Sequence, residues 1–116
     1  MLKINSNILQ TLRLFRGMKP GSEATATYSN TSLFLKDQVV TVTLHGHRIA
    51  RITSEAVSFT LAGWDTLLTR GRLHLLLWEL CNVRVIRHKG QTYFETQDGS
   101  RKAMHHQTEY TVRIGR

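Results

Sequence analysis

Residues 39–61 carry the pattern that most limits what this chain can fold into. Apolar and hydroxyl-bearing side chains alternate there in short runs separated by turn residues. Val40, Val42 and Leu44 alternate with Thr41 and Thr43, a period of two that sends every second side chain to one face of a strand. His45-Gly46-His47 supplies a turn, because Gly46 lacks the Cβ that penalises positive φ. Arg48–Ile52 returns as the partner strand, and Val57, Phe59 and Leu61 alternate with Ser58 and Thr60 in the next. Ser32–Lys36 reads as a short strand ahead of them. The sum is a meander of about three or four antiparallel strands, buried on one face.

Two segments have helical spacing instead. In residues 5–16, Ile8, Leu12 and Phe15 recur on one stripe and Leu9 widens it. Asn5 or Ser6 can cap its first turn, and Gly17 can end it in the left-handed conformation. The second helix is longer, with Leu73, Leu76, Leu77 and Leu80 on one face and Leu75 and Trp78 on a second, so more than one element should cover it. Its start is ambiguous. Asp65 as the cap would leave Gly71 inside the helix at a cost of about 1 kcal/mol relative to Ala. Thr69 as the cap places Gly71 in the first turn and is preferred. Asn82 is a suitable stop.

Between the N-terminal helix and the meander, residues 19–31 are rich in Gly, Ser, Ala and Thr and read as a loop or linker, with a short strand near Ala26–Ser29. After the second helix, residues 82–87 and 91–96 form a hairpin about His88-Lys89-Gly90. Gln97-Asp98-Gly99-Ser100 turns the chain again. Arg101–His106 is an edge strand or a loop, and Tyr110, Val112 and Ile114 alternate in a last strand. The expected architecture is one α+β domain. An antiparallel sheet of roughly five to seven strands packs on the long central helix, with the N-terminal amphipathic helix docked or projecting. Its parts are residues 1–18 (helix), 19–31 (linker) and 32–116 (sheet-plus-helix core).

Sixteen Lys and Arg stand against eight Asp and Glu, a net charge of +8. An excess of that size draws a small protein towards polyanions, so DNA or RNA heads the expected partners and an acidic face of a host protein follows. No apolar run reaches the roughly 20 residues that span a bilayer. Together with the lone Cys81, which cannot form an intramolecular disulfide, this points to a reducing cytoplasm and away from a membrane. Oligomeric state stays open, a homodimer included.

Thr69-Arg70-Gly71-Arg72 is the first candidate site. A helix N-terminus attracts anions, and arginines placed there oppose its dipole unless a phosphate or a carboxylate compensates. Arg70 and Arg72 are therefore candidate phosphate contacts; pairing with Asp65 or Glu55, or plain solvation, is the alternative. A second basic set comprises Arg48, Arg51, Arg84, Arg87, Lys89, Arg101, Lys102 and Arg113. Strand alternation sends Arg48 and Arg51 to opposite faces, and likewise Arg84 and Arg87, which argues against a single basic platform. Lys89, Arg101 and Lys102 fall at expected turns.

Tyr28, Phe34, Tyr93 and Phe94 would offer stacking surfaces only if exposed, and Phe34 with one of the Tyr93/Phe94 pair is expected in the core. Chemistry beyond binding finds little support. His45 and His47 lie two apart and His105-His106 are adjacent, but structural zinc wants paired spacing with several cysteines. No two carboxylates have acid–base spacing, and no phosphate-binding glycine loop is present. Cys81, at the end of an apolar helix, reads as an inert buried thiol. The expectation is a non-enzymatic binding protein without catalytic residues, cofactor or metal.

The stretch Leu44-His45-Gly46-His47-Arg48-Ile49-Ala50-Arg51-Ile52, and Gly63-Trp64-Asp65-Thr66 leading to Thr69-Arg70-Gly71-Arg72-Leu73, resemble a family of small tailed-bacteriophage proteins across about residues 38–80. The resemblance implies expression in an infected bacterial cytoplasm and transfers no activity. It also suggests that Trp64 plugs the strand-to-helix corner, with Thr66 or Thr69 as the helix cap.

Overall fold

The computed structural model describes residues 2–115. In chain order the elements are α1 (Leu2–Arg16), β1 (Ala24–Tyr28), β2 (Thr31–Lys36), β3 (Val39–Leu44), β4 (His47–Ile52), β5 (Ala56–Phe59), α2 (Leu67–Cys81), β6 (Arg84–His88), β7 (Gln91–Glu95), β8 (Arg101–Ala103) and β9 (Tyr110–Arg113). The fold is α+β with antiparallel pairing throughout. The strands do not form one sheet. They divide into a six-stranded sheet in the order β1-β2-β3-β4-β5-β9 and a three-stranded sheet β6-β7-β8. The chain leaves the larger sheet after β5, builds α2 and the smaller sheet, and returns to add β9 at the edge.

The alternation read in the sequence decides which face of the larger sheet is buried. Leu33, Leu35, Val40, Val42, Leu44, Ile52, Val57 and Phe59 are all buried, and both helices set their apolar stripes among them. Ile8, Leu12 and Phe15 of α1 and Leu73, Leu76 and Leu77 of α2 belong to the same core. Phe94 from the smaller sheet meets Phe59 edge-on at 5.2 Å and Tyr110 at 5.4 Å. That aromatic cluster joins the two sheets, with centroid spacings in the favourable range for such pairs.

Local chemistry explains the turns. His45 (φ 52°) and Gly46 (φ 79°) both take positive φ, as do Asp37 and Gln38, and Lys89 and Gly90. Two consecutive positive-φ residues match the right-handed twist of the flanking strands. Asn82, in the left-handed conformation, ends α2 as expected, and the Val83 N–H donates to the Leu77 carbonyl.

Several boundaries differ from the sequence reading. The cap of α2 is Thr66, whose Oγ1 accepts from the Thr69 N–H at 3.2 Å. Neither Thr69 nor Asp65 is the cap, because Asp65 is held elsewhere and Thr69 is buried in the first turn. Helix α1 begins at Leu2, so Asn5 lies within it, and Gly17 ends it by donating to the Arg13 and Leu14 carbonyls without positive φ. The short strand read near Ala26–Ser29 runs over Ala24–Tyr28 as an edge strand, with Ala24, Ala26 and Tyr28 alternating inwards beneath α1. The Tyr28 hydroxyl also meets Thr11 Oγ1. Trp64 does not plug the corner; it is 55% exposed.

The outer edge of β6 is closed by a side chain. The Val85 N–H donates to His74 Nδ1 at 3.1 Å, and the His74 ring stacks on Trp78. An unsatisfied strand edge invites pairing with another chain, and His74 fills it from α2. The bond requires an unprotonated Nδ1. Burial, and then the charge of Arg84, holds the imidazole below its ordinary 6.5.

Two predictions follow from this architecture. Gly71 lies inside α2, exposed, and an added Cβ would meet no atom within 4 Å; Gly71→Ala is expected to raise the unfolding free energy by about 1 kcal/mol, read by urea titration. For His74 the folded pKa lies below the unfolded one, so its contribution is complete above pH 6.5 and is lost as the pH falls through the folded value. The denaturation midpoint should drop between pH 7.5 and 5, and His74→Gln should flatten that drop.

Candidate functional site

The start of α2 is organised around Asp65. Its Oδ1 accepts from Arg70 Nη1 at 2.7 Å, its Oδ2 lies 3.2 Å from Arg87 Nη1, and the hydroxyl of buried Thr92 donates to both oxygens. Burial pushes the carboxyl up, but the hydrogen bonds from Arg70 and Thr92 and the charges of Arg70 and Arg87 outweigh it and hold the group below its ordinary range. The carboxylate alternative for Arg70 is thus the one adopted. Arg72 does something else: its Nε donates to Thr31 Oγ1 and its Nη1 to Asn5 Oδ1, both at 2.9 Å. It ties α2 to β2 and α1 with neutral acceptors, and burial draws its pKa down. Both arginines, candidate phosphate contacts in the sequence, are half-buried and hydrogen-bonded within the fold.

On the smaller sheet, Arg84, Glu95 and Arg101 share one register row. Glu95 accepts from both arginines, and those bonds, Arg101 first, lower its pKa. Arg87, paired with Thr92 in register, turns to the other side and reaches Asp65, so Arg84 and Arg87 do face apart. Arg101 and Lys102 lie in β8, not in a turn, with the Lys102 ammonium 5.8 Å from the centroid of the Tyr110 ring. Lys89 occupies the β6–β7 turn and is exposed.

The larger sheet gives a different result. Val42 pairs with Ala50 but Thr43 pairs with Arg48, so Ile49 is an extra residue in β4. This bulge offsets the alternation by one. Ile49 and Ala50 are both buried, and Arg48 and Arg51 emerge on the same face. The expectation that they point apart is corrected by this single inserted residue. Their face is the one away from the helices. It carries the register row Thr25–Phe34–Thr41–Arg51–Ser58–Thr111, flanked on one side by Thr27, Ser32, Thr43 and Arg48 and on the other by Lys36 and Arg113. Phe34 is 41% exposed here, against the expectation that it serves the core. Phe94 is buried as expected.

Charge on this open face is unbalanced. Arg48 pairs with Glu109 at 3.0 Å, and both side chains are well exposed. Lys36, Arg51 and Arg113 are exposed and join no ion pair among the described residues. With strands about 4.8 Å apart and Arg113 two residues beyond the row of Arg51, the two stand roughly 12 Å apart on the sheet. Phe34 and Lys36 were not linked to this set in the sequence because nothing local pairs β2 with the arginine-bearing strands.

Among the described residues no group of three or more His, Cys, Asp and Glu could hold a metal ion. Cys81 is buried and its thiol is pushed up to about 11, chiefly by burial, so at neutral pH it stays protonated and a poor nucleophile. No described helix is long and apolar enough to cross a membrane.

These features define a small basic α+β protein whose larger sheet is covered on one face and open, hydroxyl-rich and arginine-bearing on the other. A family model described as Kyanoviridae Gp96 protein matches residues 2–113, and the chain belongs to that phage protein family. The match takes in α1 and the closing strands, well beyond the segment whose motifs resemble phage proteins. No curated protein and no solved structure matches the chain.

Asp65 is expected to dominate the stability of the helix start. Asp65→Ala strands Arg70 and the buried Thr92 hydroxyl and should lower the unfolding free energy by about 3 kcal/mol. With the folded pKa below the ordinary 3.8, the wild-type advantage should be complete above that pH and vanish as the pH falls through the folded value. Denaturant titrations of both proteins across acid pH check the two statements together.

Proposed function

We propose that this phage protein is a non-enzymatic binder of DNA or RNA, contacting the sugar–phosphate backbone through the open face of the larger sheet. The observation that carries the reading is the bulge at Ile49, which sets Arg48 and Arg51 on one face with Arg113 and Lys36. A net charge of +8 supplies long-range attraction to a polyanion. Ser and Thr hydroxyls of the kind that line this face are common phosphate donors. Backbone contacts of this sort position a nucleic acid without specifying its sequence. The binding set therefore moves away from Arg70 and Arg72, which are engaged within the fold, and from Arg84, Arg87 and Arg101, which face carboxylates.

A second reading, a protein that binds and modulates a host protein, draws on the exposed apolar side chains Leu14, Trp64, Leu67 and Trp78. Singly exposed residues of this type are ordinary on protein surfaces, so the charge argument ranks first. A host protein that co-purifies after nuclease treatment would reverse the order.

Three cations of the face without a carboxylate partner among the described residues, Lys36, Arg51 and Arg113, set the expected salt dependence. On duplex DNA the logarithm of the association constant should fall against log salt with a slope of about −3. The double substitution Arg51→Gln, Arg113→Gln should reduce that slope by about 2, whereas Arg84→Gln should leave it unchanged. Absence of binding at low salt, or an unaltered slope in the double variant, would overturn the assignment.

A further inference from the structure

Among the described residues the two sheets end in four strand edges, and three of them are guarded. In β6 the Val85 N–H is taken by His74, and the strand carries Arg84 and Arg87. β8 is three residues long and holds Arg101 and Lys102, while β9 ends on exposed Arg113. Charge, shortness and a covering group are common defences against pairing with another chain. β1 has none of them. Its sequence is Ala24-Thr25-Ala26-Thr27-Tyr28, five residues without a charge, a proline or a bulge. It pairs with β2 on one side, and among the described residues no backbone hydrogen bond occupies the other.

A second feature lies beside this edge. The Tyr28 hydroxyl meets Thr11 Oγ1, which marks the flank of α1 that looks towards β1. Arg13, on another flank, bonds Glu79 of α2. Phe15 and Met18 line a hollow with Leu35, the register partner of Ala24, so α1 runs antiparallel along β1. Leu14 follows Thr11 by three residues and shares its flank, at the level of Ala26. It is 62% exposed. A bare strand edge and a bare leucine thus adjoin on the inner side of the sheet.

The pattern of β1 is complementary to itself, which argues for a second copy as the occupant. With two copies antiparallel and Ala26 opposite Ala26, Thr25 meets the partner's Thr27 and Ala24 meets the partner's Tyr28. This register alone pairs all five residues of β1 with one another. The hydroxyls stay on the open side, and small Ala24 leaves room for the larger ring on the inner side. The twofold axis is perpendicular to the sheet, so both α1 helices keep to the inner side with their Leu14 side chains facing across it. An unrelated strand would gain nothing from this symmetry.

We infer that the chain forms a twofold homodimer through β1, joining two six-stranded sheets edge to edge and burying Leu14 across the axis. The inference does not rest on the nucleic-acid reading, although it makes the two open faces continuous.

The test is sedimentation equilibrium of the full chain after nuclease treatment, with the mass of two chains expected. Thr25→Lys and Leu14→Gln should each weaken dimerisation at least about tenfold. Both positions are exposed, so circular dichroism should be unchanged. Ala26→Cys sets two thiols at the axis, where opposed Cα atoms lie about 4.5–5.5 Å apart, and mild oxidation should give a covalent dimer. Thr25→Cys holds its thiols diagonally, roughly 7–8 Å apart, and should not. A monomer at high chain concentration, a dimer indifferent to both substitutions, or cross-linking through Thr25→Cys in place of Ala26→Cys overturns the inference. A monomeric chain that retains a host protein, released by Thr25→Lys, assigns the edge to that protein and overturns it too. Dimerisation without any binding of DNA or RNA leaves the inference standing and removes only the earlier reading.

Discussion

Everything in this molecule is arranged by the need to cover one side of a six-stranded sheet. Its inner face presents leucine, isoleucine, valine and phenylalanine, and burial of such side chains contributes roughly 1.5–3 kcal/mol each. Two helices and a second sheet supply the cover. Because all of them settle on the same side, the opposite face keeps its threonines, serines and arginines in water. The open face is a by-product of how the core is closed.

Polar groups secure the cover at two places. Asp65 gathers Arg70 from α2, Arg87 from β6 and Thr92 from β7, fixing the helix to the smaller sheet. Arg72 reaches the other way, to Thr31 on β2 and Asn5 on α1. The arginines of the Thr69–Arg72 segment thus orient α2 between its neighbours. Their positive charge near a helix start is unfavourable for the helix alone, and the carboxylate and amide partners offset it. This explains why a segment that looks like an anion site from its residue types is a structural joint.

The meander from β3 to β5, its positive-φ turns and the stop at Asn82 were legible from the sequence, because alternation and turn chemistry are local. The division into two sheets was not, since no local signal says that β9 returns to β5 while β6 to β8 pair among themselves. The residue pattern favoured a start at Thr69, because Gly71 carries a helix penalty of about 1 kcal/mol; the Thr66 cap was named only as one of two that the resemblance to phage proteins suggested. Arg70's carboxylate partner could be anticipated, since Asp65 lies five residues away. The shared face of Arg48 and Arg51 could not: a bulge is fixed by what pairs across the strand, and a period of two read from β4 alone gives the opposite result. Exposed Phe34 escaped for a related reason, since an aromatic in an alternating run reads as core until the register assigns its side.

The single extra residue at Ile49 has a geometric consequence for the chain's tolerance of length change. If β4 kept its length but ran as a regular pleat back from Ala50, Ile49 would turn outward and Arg48 inward, driving a guanidinium against Leu44. Deleting Ile49 would instead keep Thr43 opposite Arg48 and Leu44 opposite His47, at the cost of one buried side chain. The outward aim of Arg48 thus survives loss of the extra residue but not its accommodation in a straight strand.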